Sequence, residues 1–560
     1  MVIRPFGQAA LLVDAASLDE VLALHGRLAA SAPEGVRGLV PAARTVLVNF
    51  DPRVVPAAGV RAWIEQASDA TELPLAPPHT VELDIVYDGP DLHAVADRLG
   101  VSPEALAEAH QAAQWSVAFT GFAPGFGYLV SAEWPYEVPR LASPRTRVPA
   151  GAVGLAGEFS GAYPRETPGG WQLIGTTTAP LFDPHAEHPA LLTPGTRVRF
   201  HSTHSTSGTA STANSPELSS VDTAQSLTAR QRLARKGAFA APPLSSPPSE
   251  VKTTLRRSEG TLPHPAANPI RPKLPAMRIV EPGLLATVQD LGRPNHAHIG
   301  VAPSGALDRT ALRTVNRLLG NPESAAAIEV TMGGFRAVAE RDLWVAVTGA
   351  WGEVHIDGRR VDPYQAHPWR AGSALHMDWF THGARAYLGV RGGVDAPRVL
   401  GSRATDLLSG LGPARLTAGD MLATASEDTA ELPALAFSPW GAPADDALDI
   451  EVAPGPRADW FVSDAALFAA EWAVTAEADR VGIRLDGPEL VRTYLGELPS
   501  EGMVPGAIQV PPSGRPVILG PDGPVTGGYP VIAVVTAASL NTLAQARPGT
   551  RIRFRHARPA

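Results

Sequence analysis

Apolar and polar positions follow two different periods along this chain, and the change of period divides it. Near the N-terminus Ala10-Leu-Leu-Val13 and Val46-Leu-Val-Asn-Phe50 read as strands. Between them Leu18–Ala30 carries Val21, Leu22, Leu24 and Leu28 at helical spacing, and a second helix is predicted over 58–66. Residues 1–80 therefore predict a small α/β subdomain. From there to residue 203 short strands alternate with Gly/Pro turns, broken by helices over 91–99 and 103–111, a pattern that predicts a β-barrel over 81–203. Residues 276–560 are strand-dominated, with one clear helix over 308–319. The expected class is α+β and β-rich.

The periodicity fails over 204–275, where Ser, Thr, Pro and Ala dominate and nine Lys/Arg stand against four Asp/Glu. Such a segment buries too little apolar surface to offset its ordering entropy, and a disordered linker is expected. As a flexible coil it would span roughly 45–50 Å end to end, enough for the flanking modules to meet. Those modules end alike, in Pro194-Gly-Thr-Arg-Val-Arg-Phe200 and Pro548-Gly-Thr-Arg-Ile-Arg-Phe554. Upstream, Val148-Pro-Ala-Gly-Ala-Val153 matches Val504-Pro-Gly-Ala-Ile508, and Gly169-Gly-Trp-Gln-Leu-Ile174 matches Gly527-Gly-Tyr-Pro-Val-Ile532. Matched elements in the same order predict related β-rich units.

At 560 residues the chain exceeds one hydrophobic core, and 44% hydrophobic with 18% charged residues is a globular composition. No apolar run is long enough to span a membrane, and Asp14 interrupts the N-terminal apolar stretch, so a cytoplasmic location is expected. A net charge of −9 speaks against nucleic acid, and the absence of cysteine excludes disulfides and thiolate chemistry. The only lysines, Lys236, Lys252 and Lys273, fall in the linker. A phosphate-gripping, Schiff-base or biotin-carrying lysine is thereby excluded from both modules, and any cationic role passes to arginine.

Phe119-Thr-Gly-Phe-Ala-Pro-Gly-Phe-Gly-Tyr-Leu129 combines permissive glycines with flat side chains, so Phe126 and Tyr128 are candidates for lining a pocket, although a packed hairpin explains them too. Arg140, Arg145 and Arg147 follow closely and could grip an anion or form a solvated face. Then come Ala156-Gly-Glu-Phe-Ser-Gly-Ala-Tyr-Pro164 and Thr167-Pro-Gly-Gly-Trp-Gln-Leu-Ile-Gly175, with Tyr163 and Trp171. His185/His188 and His296/His298 have metal-compatible spacing, but two ligands make no site, and no metal centre is expected.

These motifs in order resemble the allophanate hydrolase subunit 1 family over residues 1–203. Residues 277–556 resemble the subunit 2 family through Thr287-Val-Gln-Asp-Leu-Gly-Arg293, Gly300-Val-Ala-Pro-Ser-Gly-Ala-Leu-Asp308, Ile328-Glu-Val-Thr331, Arg391-Gly-Gly-Val394, Arg480-Val-Gly-Ile-Arg-Leu-Asp-Gly-Pro488, Pro505-Gly-Ala-Ile-Gln-Val-Pro511 and Thr526-Gly-Gly-Tyr-Pro530. The resemblance implies cyclophilin-like barrels in both modules. It also implies the B and C components of an ATP-dependent 5-oxoprolinase, which opens the 5-oxoproline lactam to glutamate with a separate A subunit. ATP and Mg²⁺ come only from the resemblance; no biotin is expected. A regulator that inhibits a sensor histidine kinase, and a carboxyltransferase-like unit for a urea-type amide, are the alternatives. A small amide or lactam, the A subunit and a second copy of the chain are the expected partners. Asp308 and Glu329 become candidate acid/base groups, with an N-cap and a strand hydrogen bond as their structural explanations. Arg145, Arg147, Arg391 and Arg480 become candidate anion ligands. Gln509, Gly527, Gly528 and Tyr529, with Trp171, are expected near barrel mouths.

Overall fold

The computed structural model describes residues 1–70, 79–203, 274–426, 431–433, 438–439, 441–444, 446–494, 496 and 498–558. Nearly all of the expected linker, with its three lysines, lies outside the described residues.

The first four strands form an antiparallel sheet in the order Val2–Pro5, Ala10–Asp14, Thr45–Phe50, Val36–Pro41. Alternation along these strands sends side chains to two destinations. Leu11, Val13, Val46 and Val48 face the two helices and meet Val21, Leu24, Leu28, Val60 and Ile64. The opposite set, Leu12 and Leu47 with Phe6 and Val40, packs against Met503, Leu519, Val531 and Val534 from near the far end of the sequence. The first helix, Leu18–Ala30, starts where the Ser17 side chain accepts from Glu20 N–H; the second runs over Ala57–Asp69.

Two seven-stranded units follow the same plan. In the first the order is Gln172–Thr176, Ala152–Ala156, Phe159–Ala162, Gly127–Val130, Trp115–Thr120, Arg197–Ser202, Thr80–Ile85, and its two ends meet at a bridge between Val86 and Thr176. The second is a closed barrel in the order Leu448–Pro454, Val531–Val535, Ala507–Gln509, Val517–Leu519, Gly482–Asp486, Glu471–Val474, Arg551–His556. In each, the strand that follows Pro-Gly-Thr pairs parallel with the unit's first strand and antiparallel with its second. Each also has a fully buried tryptophan on that second strand, whose Nε1–H donates to a carbonyl five residues earlier: Trp115 to His110 and Trp472 to Leu467. The repeated sequence elements are thus equivalent positions in one topology.

Between the barrels lie a six-stranded and a five-stranded sheet that share one apolar core, which includes Val288, Ile328, Val345, Trp369 and Leu388. Helix Arg309–Leu318 packs Leu312 and Val315 on the five-stranded sheet beside Tyr387. Among the described residues no helix is long and apolar enough to cross a membrane.

Candidate active site

Arg480 sits in the turn before strand Gly482–Asp486, and its side chain is only 4% exposed. Burial of a charge at that level requires partners on every side. Nε and Nη2 donate to the two oxygens of Asp522 at 2.8 and 2.9 Å, Nη1 donates to Glu329 Oε1 at 2.8 Å, and Nη2 also reaches the Gly305 carbonyl at 2.7 Å. Asp522 can stand there because its loop folds tightly over the arginine. A Cβ on Gly520 would lie 2.0 Å from the Arg480 carbonyl oxygen, so glycine is required. Ser304 N–H donates to the Pro521 carbonyl at 2.9 Å, tying this loop to the segment before helix Arg309–Leu318.

The network continues through Glu329 Oε2, which accepts from Tyr387 Oη–H at 2.6 Å and from Leu307 N–H at 3.1 Å. Burial pushes the Glu329 carboxyl up, but Arg480 and Arg385 outweigh it and hold the pKa below the usual carboxylate value. Asp522 goes the other way: burial raises its pKa, and Arg480 offsets only part of the rise. On Arg480 itself burial disfavours the charge, yet Glu329 and Asp522 prevail and the guanidinium stays firmly protonated.

Asp522 also lines a cleft. The walls come from Phe122 to Pro124 with Arg165, Thr167 and Pro168 of the first barrel, Gly300 and Ala302, Asp406, Leu408 and Ser409, and Asp522 to Val525 of the second barrel. The space it encloses is about 100 Å³, and it is open to solvent on one side. Three parts of the chain meet here at contact distance: a Cβ on Gly121 would lie 1.9 Å from Thr526 Oγ1, Gly125 N–H donates to the Ile299 carbonyl at 2.9 Å, and Arg165 Nη2 donates to the Leu408 carbonyl at 2.7 Å. Phe122 holds a positive φ of 63° and is 42% exposed, so its ring is presented rather than packed away. An aromatic face and one arginine at the rim are groups that can orient a small planar amide and its charged neighbour, whereas Asp406 and Asp522 are enclosed and bonded to Ser409 and Arg480.

A family model described as carboxyltransferase domain, subdomain C and D, matches residues 1–192, and one described as carboxyltransferase domain, subdomain A and B, matches residues 299–556. Over 285 residues the chain is 38% identical to the C component of 5-oxoprolinase from Escherichia coli (strain K12), a match that covers 50% of this chain and 90% of that protein. The chain belongs to the carboxyltransferase domain family. The chain is also 49% identical over 123 residues to the B component of 5-oxoprolinase from Escherichia coli O157:H7, covering 21% of this chain and 56% of that protein. The crystal structure of TTHA0988 superposes with a TM-score of 0.77 at 33% identity, covering 98% of this chain and 99% of that one.

Within this carboxyltransferase fold the sequence candidates separate. Arg480 and Glu329 are joined to each other in the buried network, directly behind Asp522. Asp308 does not line the cleft: Oδ1 accepts from Ala311 N–H and Oδ2 from Gln545 Nε2, each at 2.8 Å, so it caps helix Arg309–Leu318. Its N–H donates to Tyr387 Oη at 2.8 Å, so its link to Glu329 is indirect. Phe126, Tyr128, Tyr163 and Trp171 are at most 7% exposed and pack edge to face with one another, centroids 5.1–5.5 Å apart. The expectation that these rings line a pocket is corrected: the hairpin turns them into the barrel core and leaves Phe122 outside. Arg145 pairs with Asp91 at 2.6 Å, and the exposed Arg147 pairs with Glu166 at 2.7 Å. Arg391 follows strand His382–Val390 in the middle sheets and lines neither cleft described here. Gln509 is buried behind Gly527, where a Cβ would lie 2.6 Å from its Nε2. Gly527 pairs across to Glu501, Gly528 follows it, and Tyr529 is 44% exposed.

Sequence reasoning missed Asp522, Asp406 and Arg165. The signal for Asp522 was its Gly-Pro-Asp-Gly-Pro setting, which marks an enforced loop; Asp406 and Arg165 carry no comparable local sign.

A second cleft lies between the N-terminal sheet and the second barrel, lined by Asp14, Arg44, Thr45, Arg457, Trp460 and Glu501. Arg457 there bridges Asp14 and Glu501. None of the sequence candidates lines it, and its charges are those of an ion-paired interface.

Proposed function

We propose that this chain is a fused B/C component of an ATP-dependent 5-oxoprolinase, opening the 5-oxoproline lactam to L-glutamate together with a separate A subunit. Its relatives named as the B and C components of 5-oxoprolinase support a role as part of such a hydrolase complex. The observation that carries the site is a cleft with Phe122 to Pro124 and Arg165 on one wall and, on the other, the loop that the enclosed Asp522 anchors on the buried Arg480–Glu329 network. The cleft therefore needs both halves of the chain.

In this reading the lactam ring lies against Phe122, and its carboxylate is drawn to Arg165. The γ-phosphoryl group of ATP passes to the lactam oxygen with loss of ADP. Water then adds to the carbon, the C–N bond breaks with a proton going to nitrogen, and phosphate leaves. Asp406 and Asp522 do not fit a Mg²⁺ site, because both are enclosed and their oxygens are taken up by Ser409 and Arg480, so no step is assigned to an ion held there. Asp522, fixed by two arginine hydrogen bonds, holds the loop at 522–525 in place as one wall of the cleft.

ATP- and Mg²⁺-dependent glutamate release from 5-oxoproline, measured with the purified chain plus the A protein, tests the proposal. No glutamate with both present, against a working positive control, refutes it. The interlocking of the halves weighs against the histidine-kinase regulator, which relies on the first half acting alone. The family description supports one second reading, transfer to a urea-type amide, and co-purification with a biotinylated partner would favour it.

A further inference from the structure

In the six-stranded middle sheet, strands Val354–Ile356 and Ala374–Met377 pair antiparallel with His355 directly opposite His376. Their neighbours Val354, Ile356, Leu375 and Met377 are all in the apolar core, so strand alternation puts both imidazoles on the outer face. The rings lie nearly parallel, 6.5 Å apart at 29°. Asp378 follows the second strand and is pinned by its own N–H, which donates to the Glu353 carbonyl at 2.9 Å. Its Oδ1 is 3.2 Å from His376 Nδ1, while Glu353 Oε2 is 3.6 Å from His355 Nε2. One ligand atom from each of His355, His376 and Asp378 lies within 4.8 Å of the other two.

We propose that His355, His376 and Asp378 bind one Zn²⁺ ion, with water completing the tetrahedron. Bonds of about 2.0–2.2 Å require ligand atoms roughly 3.3–3.6 Å apart, which modest side-chain rotation supplies. Two imidazoles and one carboxylate suit zinc and its first-row neighbours rather than Mg²⁺ or Ca²⁺, which take oxygen ligands. Glu353, held by Arg360 Nη1 at 3.0 Å, stands where an outer carboxylate would orient the His355 ring. All three ligand side chains are between a quarter and two-fifths exposed, so the ion can enter from solvent and keep an open position. The ion would clasp two neighbouring strands near the end of the six-stranded sheet. This site does not depend on the lactam reading.

The test is calorimetric titration of the full chain, stripped with EDTA, with ZnCl₂ at about pH 7.5. One site is expected that disappears in both His376→Gln and His355→Gln and weakens about 10-fold or more in Asp378→Asn. Unchanged thermal midpoints of the variants in EDTA will show that they fold. A zinc titration of His355→Gln/His376→Gln that matches the wild type, or no zinc bound by the wild type, overturns the proposal.

Discussion

Replacing Arg480 with Met removes the cation from a pocket that keeps two carboxylates. The side chain is 4% exposed, Asp522 is fully enclosed and Glu329 is 1% exposed, so solvent cannot take the arginine's place. Breaking a buried pair in this way costs about 3–5 kcal/mol, which lowers the thermal midpoint of the cooperative unit by roughly 6–20 °C. The cost should depend on pH in a set direction. Asp522 already sits above its usual pKa because burial outweighs Arg480, and losing Arg480 raises it further. Glu329 loses its strongest offset and keeps Arg385 with the hydrogen bonds from Tyr387 and Leu307. A carboxyl whose folded pKa is raised holds more protons than in the unfolded chain, so stability falls as pH rises through and beyond the unfolded value. The Arg480→Met deficit should therefore be larger at about pH 8 than at about pH 5.5, and adding Asp522→Asn should recover part of it at the higher pH. Urea melts of the three proteins at both pH values measure this. A deficit below about 1 kcal/mol, or one independent of pH, would refute the claim that uncompensated buried carboxylates carry the cost.

Other consequences follow from the same structure. Asp308→Ala should lose about 1 kcal/mol of stability through the lost helix cap, whereas Asp308→Asn should lose little; equal losses in thermal melts would contradict the capping role. Chains comprising 1–203 and 274–560, co-expressed separately, should co-purify through the apolar contact of Leu12 and Leu47 with Met503 and Val534. Leu47→Ala should weaken that association by about 2–5 kcal/mol, and pull-down yields insensitive to it would argue against this interface. His110 is fully buried between Tyr87 Oη and Ser160 Oγ, and burial lowers its pKa to about 3. Since the unfolded imidazole binds a proton below about pH 6.5, stability should fall from there downward by about 1.4 kcal/mol per pH unit. Melts of His110→Gln should lack this part of the slope, and an identical acid profile would rule out the buried neutral imidazole as its source.

Local pattern was informative wherever one residue's neighbours in sequence decide its environment. The alternation in Arg197–Ser202 and Arg551–His556 identified closing strands, and their shared Pro-Gly-Thr lead-in identified equivalent barrels, because turn chemistry and strand period are short-range properties. Helix Leu18–Ala30 was legible from its apolar spacing for the same reason. Asp308 was legible as a cap, since capping involves only the next helical turn. By contrast, the Phe119 to Leu129 segment was ambiguous: its glycines permit a hairpin, but only packing decides that Phe126 and Tyr128 point inward while Phe122 points out.

The amino-acid sequence by itself determined the β-rich class, the repeated barrel plan, the candidacy of arginine for every cationic role in the modules, and the family resemblance. The tertiary structure alone decided which of those arginines is buried in a carboxylate network. Arg480 meets Glu329, 151 residues away, and Asp522, 42 residues away, because two strands and a Gly520 turn bring them together. Arg145 and Arg147, adjacent to so suggestive a motif, are taken up by nearby carboxylates. The reason is physical: the strength of a charge pair depends on its burial and distance, and both are properties of the folded chain rather than of residue order.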